Sequence, residues 1–296
     1  MRKGVVRGKM EIFDCHIHLF PKQVIHKVQQ KNDMVKQLKL GVQDAEKRTS
    51  IRQLQAEMAA AGVTGALMLP TARVDGVRKT NLEGLATAAG RSWLYTAGTL
   101  HPHAPRVAAE LAFLRRQRIR IIKLCSFSQG FPITGPKARD MFDAIAALNR
   151  TTDRPLAVVV DTLRQADRYF GTPPEFNTAP QHLAFLADRY PSINFIGAHM
   201  GGLDAPHREM RDHLTARANL YLDTSNAAHT LPSRIFCELL HEHGPGHILY
   251  GTDWPWFSSR SEIPLIDDLL SRVGFSEEEK QMVFRANILA LLETGS

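Results

Sequence analysis

Two histidines near the start of the chain have the type and spacing that metal binding needs. They lie in the segment Asp14-Cys15-His16-Ile17-His18, which ends a short apolar run. Side chains alternate between faces in an extended strand, so His16 and His18 are expected on one face together with Asp14. Two imidazoles about 7 Å apart on one strand can bind a single metal ion. The motif is short and a merely polar strand edge is the alternative, so the rest of the chain must supply the context.

Other side chains with suitable chemistry lie at the ends of further predicted strands. They are Lys123 on the fourth predicted strand, Asp161 on the fifth, His199 on the sixth and Asp253 on the eighth. Neutral imidazoles and carboxylates are the ligands that divalent first-row metals prefer. Converging from different strands, these groups could form a site that no local motif provides. Asp161 could instead cap a loop, and Trp254-Pro255 is expected to hold Asp253 in an extended conformation.

The elements that must position these residues are eight short apolar or β-branched runs. They are Ile12 to His18, Val63 to Leu69, Trp93 to Leu100, Ile119 to Cys125, Leu156 to Asp161, Ile193 to His199, Leu220 to Asp223 and Ile248 to Asp253. Helical patterns lie between them, with apolar residues three or four positions apart. Ser50 with Gln53, and Ser276 with Glu279, have the spacing of capping boxes, and the second predicts a C-terminal helix.

Alternating strands and helices without a linker predict one α/β domain over residues 1–296, a (β/α)8 TIM-like barrel with a C-terminal helix. A doubly wound sheet would also alternate, but no glycine-rich phosphate loop follows the first strand. Two long connections, Leu19 to Thr49 and Thr162 to Ala179, follow strands and are expected to cover the active-site face of the barrel, or else to be plain surface loops.

Composition limits the classes of partner. The net charge of +7 is spread along the chain, so nucleic acid is not predicted, whereas a small anionic substrate is compatible with it. No apolar run reaches the length needed to span a membrane, and the basic start lacks the apolar stretch of a secretory signal. The 3 dispersed cysteines favour a reducing cytoplasm. A homodimer is left as an open alternative.

Taken in order, the motifs resemble those of the amidohydrolase superfamily. They are Asp-x-His-x-His on the first strand, Ile122-Lys123-Leu124 followed by Gln129-Gly130-Phe131, Gly197-Ala198-His199-Met200-Gly201-Gly202, and Tyr250-Gly251-Thr252-Asp253-Trp254-Pro255. More narrowly, the chain is similar to the branch containing aminocarboxymuconate-semialdehyde decarboxylase, resorcylate-type decarboxylases and dicarboxylate lactonases. The resemblance extends from Asp14 to Trp254.

The resemblance implies one divalent ion held by His16, His18, a histidine of the fifth strand and Asp253. His199 would then lie beside the bound water as a base or orienting group. At the fifth strand this sequence has Asp161 where the family usually has histidine, so Asp161 either substitutes as a ligand or metal binding is weakened. Zinc is the first expectation and manganese the second, with no organic cofactor.

Function is predicted at the level of the reaction class. The leading hypothesis is a metal-dependent hydrolase that uses activated water on a lactone or amide, with His199 and Asp253 as catalytic residues. The alternatives are a non-oxidative decarboxylase on the same scaffold, or a degenerate barrel that binds a small molecule without chemistry. Lys123 is predicted to bind a substrate carboxylate, with a carbamylated bridge between two metals as the alternative. Trp254 is predicted to form part of an apolar substrate wall, with Trp256, Phe257 and Phe131 as further candidates.

Overall fold

The computed structural model describes residues 10–293, in which short parallel strands alternate with helices. The strands are β1 (Ile12–Ile17), β2 (Val63–Met68), β3 (Leu94–Thr96), β4 (Gly98–Thr99), β5 (Ile121–Leu124), β6 (Ala157–Val160), β7 (Asn194–Gly197), β8 (Leu220–Asp223) and β9 (Ile248–Leu249). All eight predicted strand segments are present, and the third is divided into β3 and β4 at Ala97.

The helices follow the strands as the barrel prediction requires. In chain order they are α1 (Lys22–Gln29), α2 (Asn32–Gln37), α3 (Val42–Ala45), α4 (Ile51–Ala61), α5 (Val77–Ala88), α6 (Val107–Arg116), α7 (Ser126–Gln129), α8 (Pro136–Asn149), α9 (Ala166–Phe170), α10 (Pro180–Arg189), α11 (His207–His213), α12 (Ala227–Thr230), α13 (Ser233–His243), α14 (Ser259–Arg272), α15 (Glu277–Gln281) and α16 (Asn287–Glu293). Between residues 10 and 293, none is long and apolar enough to cross a membrane.

Hydrogen bonds at two seams join the strands into a barrel. Strands β1 to β3 form one parallel group and β4 to β9 another. The amide of Ala97 donates to the carbonyl of Met68 at 2.8 Å, which carries the pairing across the break between β3 and β4. At the other seam the amide of Asp253 donates to the carbonyl of His16 at 2.9 Å. The predicted TIM-like barrel is therefore confirmed, and its closure places Asp253 beside the histidines of β1.

Helix α4 shows how the local sequence builds the outer layer. Ser50 caps its start by accepting a hydrogen bond from the amide of Gln53 at 3.3 Å. Leu54 and Met58, four residues apart, are the buried face of the helix. The helix ends at Gly62, whose φ of 75° lies in the left-handed region that glycine adopts without a steric penalty.

The C-terminal helix closes the structure as predicted. Ser276 and Glu279 form a reciprocal capping box, with the amide of Glu279 donating to Ser276 Oγ and the amide of Ser276 donating to the Glu279 carboxylate. Helix α15 then continues through the π-helical turn Met282–Ala286 into α16. Ile288 and Leu291 of α16 pack in a hydrophobic cluster with residues of the strands, among them Ile121 and Val159.

This cluster lies inside the barrel, because Ile121 and Val159 share their strand faces with Lys123 and Asp161 two positions further on. The site residues therefore lie on the same inward strand faces as this cluster, but closer to the carboxyl ends of the strands. Active sites in this fold are built at that end.

Strand β1 departs from the simple alternation expected from its sequence. Cys15 belongs to the inner cluster, but Ile17 belongs to the larger outer one. The pairing with β2 is irregular between Asp14 and Ile17, which shifts the face that each side chain presents. Strict alternation would put Cys15 and Ile17 on one face, so the regular alternation predicted for this strand is wrong here.

Candidate active site

The two histidines of β1 and the aspartate after β9 converge at the carboxyl end of the barrel. The Nε2 atoms of His16 and His18 lie 3.1 Å apart. Asp253 Oδ1 lies 3.9 Å from His16 Nε2 and 3.5 Å from His18 Nε2. The three side chains are thus close enough for one ion to contact all of them.

Hydrogen bonds fix which ring nitrogen of each histidine is free. His18 Nδ1 lies 3.1 Å from the carbonyl oxygen of Leu69, which can only accept, so Nδ1 carries the proton. His16 Nδ1 lies 2.8 Å from Asp223 Oδ2 and donates to that carboxylate. Burial lowers the pKa of His16 to about 4 and that of His18 well below its usual range, so both rings are neutral near pH 7. Both Nε2 atoms therefore present lone pairs.

Two facing lone pairs at 3.1 Å repel each other unless a cation lies between them. Atoms about 2.0–2.1 Å from one ion are about 2.9 Å apart at a right angle and about 3.3 Å apart at a tetrahedral angle. The observed separation falls between these values. With Asp253 adjacent, the donor set of two imidazoles and a carboxylate fits a divalent transition metal such as zinc or manganese.

Asp223 and Ser225 contact both His16 and His199 and hold these residues in position. Ser225 Oγ donates to Asp223 Oδ1 and lies 3.0 Å from His16 Nδ1 and 2.9 Å from His199 Nδ1. Despite burial, contacts with His16, His199 and Ser225 hold the pKa of Asp223 below its usual range. An ionised carboxylate that orients a metal-binding imidazole is a recurring arrangement in metal sites.

Lys123 forms a buried ion pair with Asp161. Its Nζ lies 2.8 Å from Asp161 Oδ2, and the side chains are 1% and 12% exposed. Burial alone would lower the pKa of Lys123, but Asp161 outweighs it and the pKa is raised. Likewise Lys123 and His199 overcome burial and hold the pKa of Asp161 below its usual range. The charged ammonium is therefore favoured, and this opposes the carbamylated alternative, which requires a neutral amine.

His199 faces the same space from the sixth barrel position. Its Nδ1 lies 3.0 Å from the carbonyl of Ser225, so Nδ1 carries the proton and Nε2 is free. That Nε2 lies 3.9 Å from Asp161 Oδ1, and His16, Asp161 and His199 form a second group of converging ligand atoms. The backbone of His199 has a φ of 56°, a conformation held in place by its amide hydrogen bond to Asp223 Oδ1 at 3.0 Å.

Asp253 is buried and turned towards the histidines by its backbone. Its φ is 65°, so the extended conformation predicted from the following proline is wrong. The proline restricts the residue directly before it, which is Trp254, and leaves Asp253 free. Burial, reinforced by the charge of Asp161, raises the pKa of Asp253 well above its usual range.

A cavity of about 610 Å³ opens over these groups. Its polar lining includes His18, Lys123, Asp161, His199 and Asp253, and most of the remaining wall is apolar. The two long connections contribute apolar side chains to it, namely Leu19, Phe20, Pro21, Val24, Val28, Met34, Leu38 and Leu40 from the first, and Leu163 and Phe170 from the second. Their predicted position over the barrel mouth is confirmed. Among the residues described, Lys123 is the only lysine or arginine that lines this cavity.

The aromatic wall differs from the one expected from the sequence. The side chain of Trp254 is 1% exposed in the outer hydrophobic cluster and does not line the cavity. Trp256, which was also a candidate from the sequence, does line it, together with Phe20 and Phe127. Phe131 is buried in the outer cluster, and Phe257 stacks on the ring of His229.

Sequence reasoning missed Asp223, Ser225 and Asn226, which follow β8. Asp223 ends a predicted strand, as Asp161 and Asp253 do, and this position was the sign in the sequence that Asp223 belongs to the site. Nothing in the sequence marked Ser225 or Asn226. Asp14, expected beside the histidines, accepts hydrogen bonds from Thr252 instead, and burial raises its pKa to about 7.

Comparison with known proteins identifies the protein family. A family model described as Amidohydrolase matches residues 13–294, nearly the whole chain. The chain belongs to this family and is an enzyme of the amidohydrolase superfamily, as its motifs indicated. Comparison with curated proteins gives no significant match.

Solved structures with the same fold include an uncharacterised TIM-barrel protein from Bordetella bronchiseptica, with a TM-score of 0.70, 15% identity and coverage of 96% of this chain and 99% of that one. A 5-carboxyvanillate decarboxylase from Sphingomonas paucimobilis has a TM-score of 0.65 and 16% identity over 97% and 100%. A dihydroxybenzoic acid decarboxylase from a Polaromonas species, with bound manganese and the inhibitor 2-nitroresorcinol, has a TM-score of 0.66 and 14% identity over 96% and 97%.

Proposed function

We propose that this enzyme is a metal-dependent, non-oxidative decarboxylase of a small and largely apolar carboxylate. The observation that carries the proposal is the placement of the His16, His18 and Asp253 cluster and one buried cation, Lys123, under an apolar and aromatic wall. The named decarboxylases among the structural neighbours act on aromatic carboxylates, which is the substrate chemistry that such a wall suits.

His16, His18 and Asp253 would hold the ion, with Asp161 as a further ligand through Oδ1, since its Oδ2 is paired with Lys123. A divalent ion bound there would act as a Lewis acid towards substrate oxygen atoms. Zinc and manganese both suit this donor set.

The chain's own residues supply the rest of the chemistry. Lys123 attracts the substrate carboxylate, and the apolar wall removes water that would stabilise that carboxylate relative to neutral CO2. When the carbon–carbon bond breaks, CO2 leaves and the electron pair stays on the substrate carbon, which must take up one proton. His199 Nε2 faces the cavity without a proton of its own, so it would first take one up from solvent and then deliver it to that carbon, with Asp253 as the second proton carrier.

Hydrolysis of a lactone or amide, the leading hypothesis from the sequence, would use the same ligands. Decarboxylation fits better, because no second lysine or arginine lines the described part of the cavity for a dicarboxylate lactone. A cytoplasmic location and the oligomeric state stay predictions.

The test is a substrate panel. Protein loaded with manganese or zinc should release CO2 from at least one aromatic carboxylate, such as 2,6-dihydroxybenzoate or 5-carboxyvanillate, and in D2O the product should carry one deuterium at the vacated carbon. His199→Asn is the comparison variant, and Ser128→Ala, an exposed change at the cavity rim, is the matched control. Opening of lactones without CO2 release from any carboxylate would contradict the proposal.

A further inference from the structure

Asn226 lies in the cavity wall with a side chain that the protein leaves unused. The residue follows β8 and immediately precedes α12. It is 1% exposed and lines the cavity. Neither Oδ1 nor Nδ2 has a hydrogen-bond partner among the residues that the structure describes.

The position of this amide is fixed by its neighbours. Asn226 has a φ of 58°, a left-handed conformation that asparagine tolerates better than most residues. Its backbone carbonyl accepts from the amide of His229 at 3.0 Å. Ser225, directly before it, is held by Asp223 and His199. The side chain is therefore presented from a segment that also supports the catalytic histidine.

A buried amide without a partner destabilises the fold by a free energy comparable to a lost hydrogen bond. Its presence here indicates that a bound molecule supplies the missing hydrogen bonds. An asparagine side chain offers two N–H donors and one carbonyl acceptor, which matches a neutral group able to both accept and donate. A carboxylate fits poorly beside Asn226, because it can only accept hydrogen bonds and would leave the acceptor Oδ1 without a donor. The chemistry favours a hydroxyl or a carboxamide.

We infer that Asn226 forms a substrate subsite that binds a neutral hydroxyl or carboxamide group on the ring or chain of the substrate. This inference deepens the proposed function, since it describes the substrate as a monocarboxylate carrying such a group. The hydroxyl would donate to Oδ1 and accept from Nδ2 while the apolar wall contacts the rest of the molecule.

The test uses probes that need neither the metal nor turnover. Phenol and toluene differ by a hydroxyl in place of a methyl group, and their affinities are measured by ligand-observed NMR on the full chain. The ratio of phenol to toluene affinity should fall about threefold to tenfold in Asn226→Gly, the size of one hydrogen bond. Glycine accepts the positive φ, so the backbone is not strained. Asn226→Ala is the second variant, should glycine loosen the segment.

Ser128→Ala, which alters another polar group of the cavity lining, should leave the ratio unchanged. An unchanged ratio in both Asn226 variants, or an equal fall in Ser128→Ala, would overturn the inference. The proposed function can fail separately: if no carboxylate loses CO2 but the ratio still depends on Asn226, the subsite stands and the reaction does not.

Discussion

Replacing Lys123 by methionine should destabilise the fold strongly, because Asp161 would be left ionised and buried. At the 2.8 Å separation of Nζ and Oδ2, the attraction is about 6 kcal/mol for an effective dielectric constant of about 20. Desolvation of both groups offsets most of it, so the pair itself adds little. Removal of one partner alone typically costs about 3–5 kcal/mol, and we expect a loss of this size at pH 7.

Urea unfolding of chelator-treated Lys123→Met and parent protein measures this loss without any contribution from bound metal. The pKa of Asp161 is lowered in the folded state, so its contribution is present above the unfolded pKa of about 3.9 and is lost only as the pH falls through the folded value. The matched control is Lys123→Met combined with Asp161→Leu, which removes both charges and should recover most of the loss. If Lys123→Met unfolds at the same urea concentration as the parent, or if the double variant is no more stable than Lys123→Met, the buried pair is not formed as described.

Three further predictions concern the metal and the reaction. Asp223→Asn should weaken metal binding about tenfold to a hundredfold, because His16 Nδ1 loses the carboxylate that orients it; isothermal titration against the parent, with circular dichroism for the fold, measures this. Metal affinity should rise about tenfold per pH unit below the raised pKa of Asp253, because the carboxyl group must lose its proton before the ion binds. Chelator competition at several pH values measures this dependence, and the affinity of Asp253→Asn should not change with pH. His199→Asn should lower turnover about a hundredfold or more while the metal content measured by mass spectrometry stays unchanged.

The barrel was predictable because each strand carries its own local pattern of apolar residues ending in a polar group. The convergence of His16, His18 and Asp253 followed from the fold class, since parallel strands in a closed barrel bring their carboxyl ends together. The pairing of Lys123 with Asp161 was not predicted, but it arises from the same convergence of strand ends. These residues lie at the ends of neighbouring strands, in which Lys123 aligns with Val159, two positions before Asp161.

The supporting groups were not predictable, because their roles depend on contacts formed only when the barrel closes. Ser225 is one of many serines in the sequence, and its hydroxyl gains its role only between His16 and His199. The burial of Trp254 away from the cavity was not predictable either, since the left-handed backbone of the preceding Asp253 is not indicated by any local pattern.

The central claim is that the lone pairs of His16 and His18, together with Asp253, form one metal site. Isothermal titration of chelator-treated protein with manganese or zinc tests it most directly. The two variants to compare are His18→Ala and His229→Ala. His229→Ala is the control, because His229 pairs with Glu262 away from the cluster. We expect about one ion per chain for the parent and for His229→Ala, and binding weakened at least a hundredfold in His18→Ala. Equal stoichiometry and affinity in all three proteins would contradict the account.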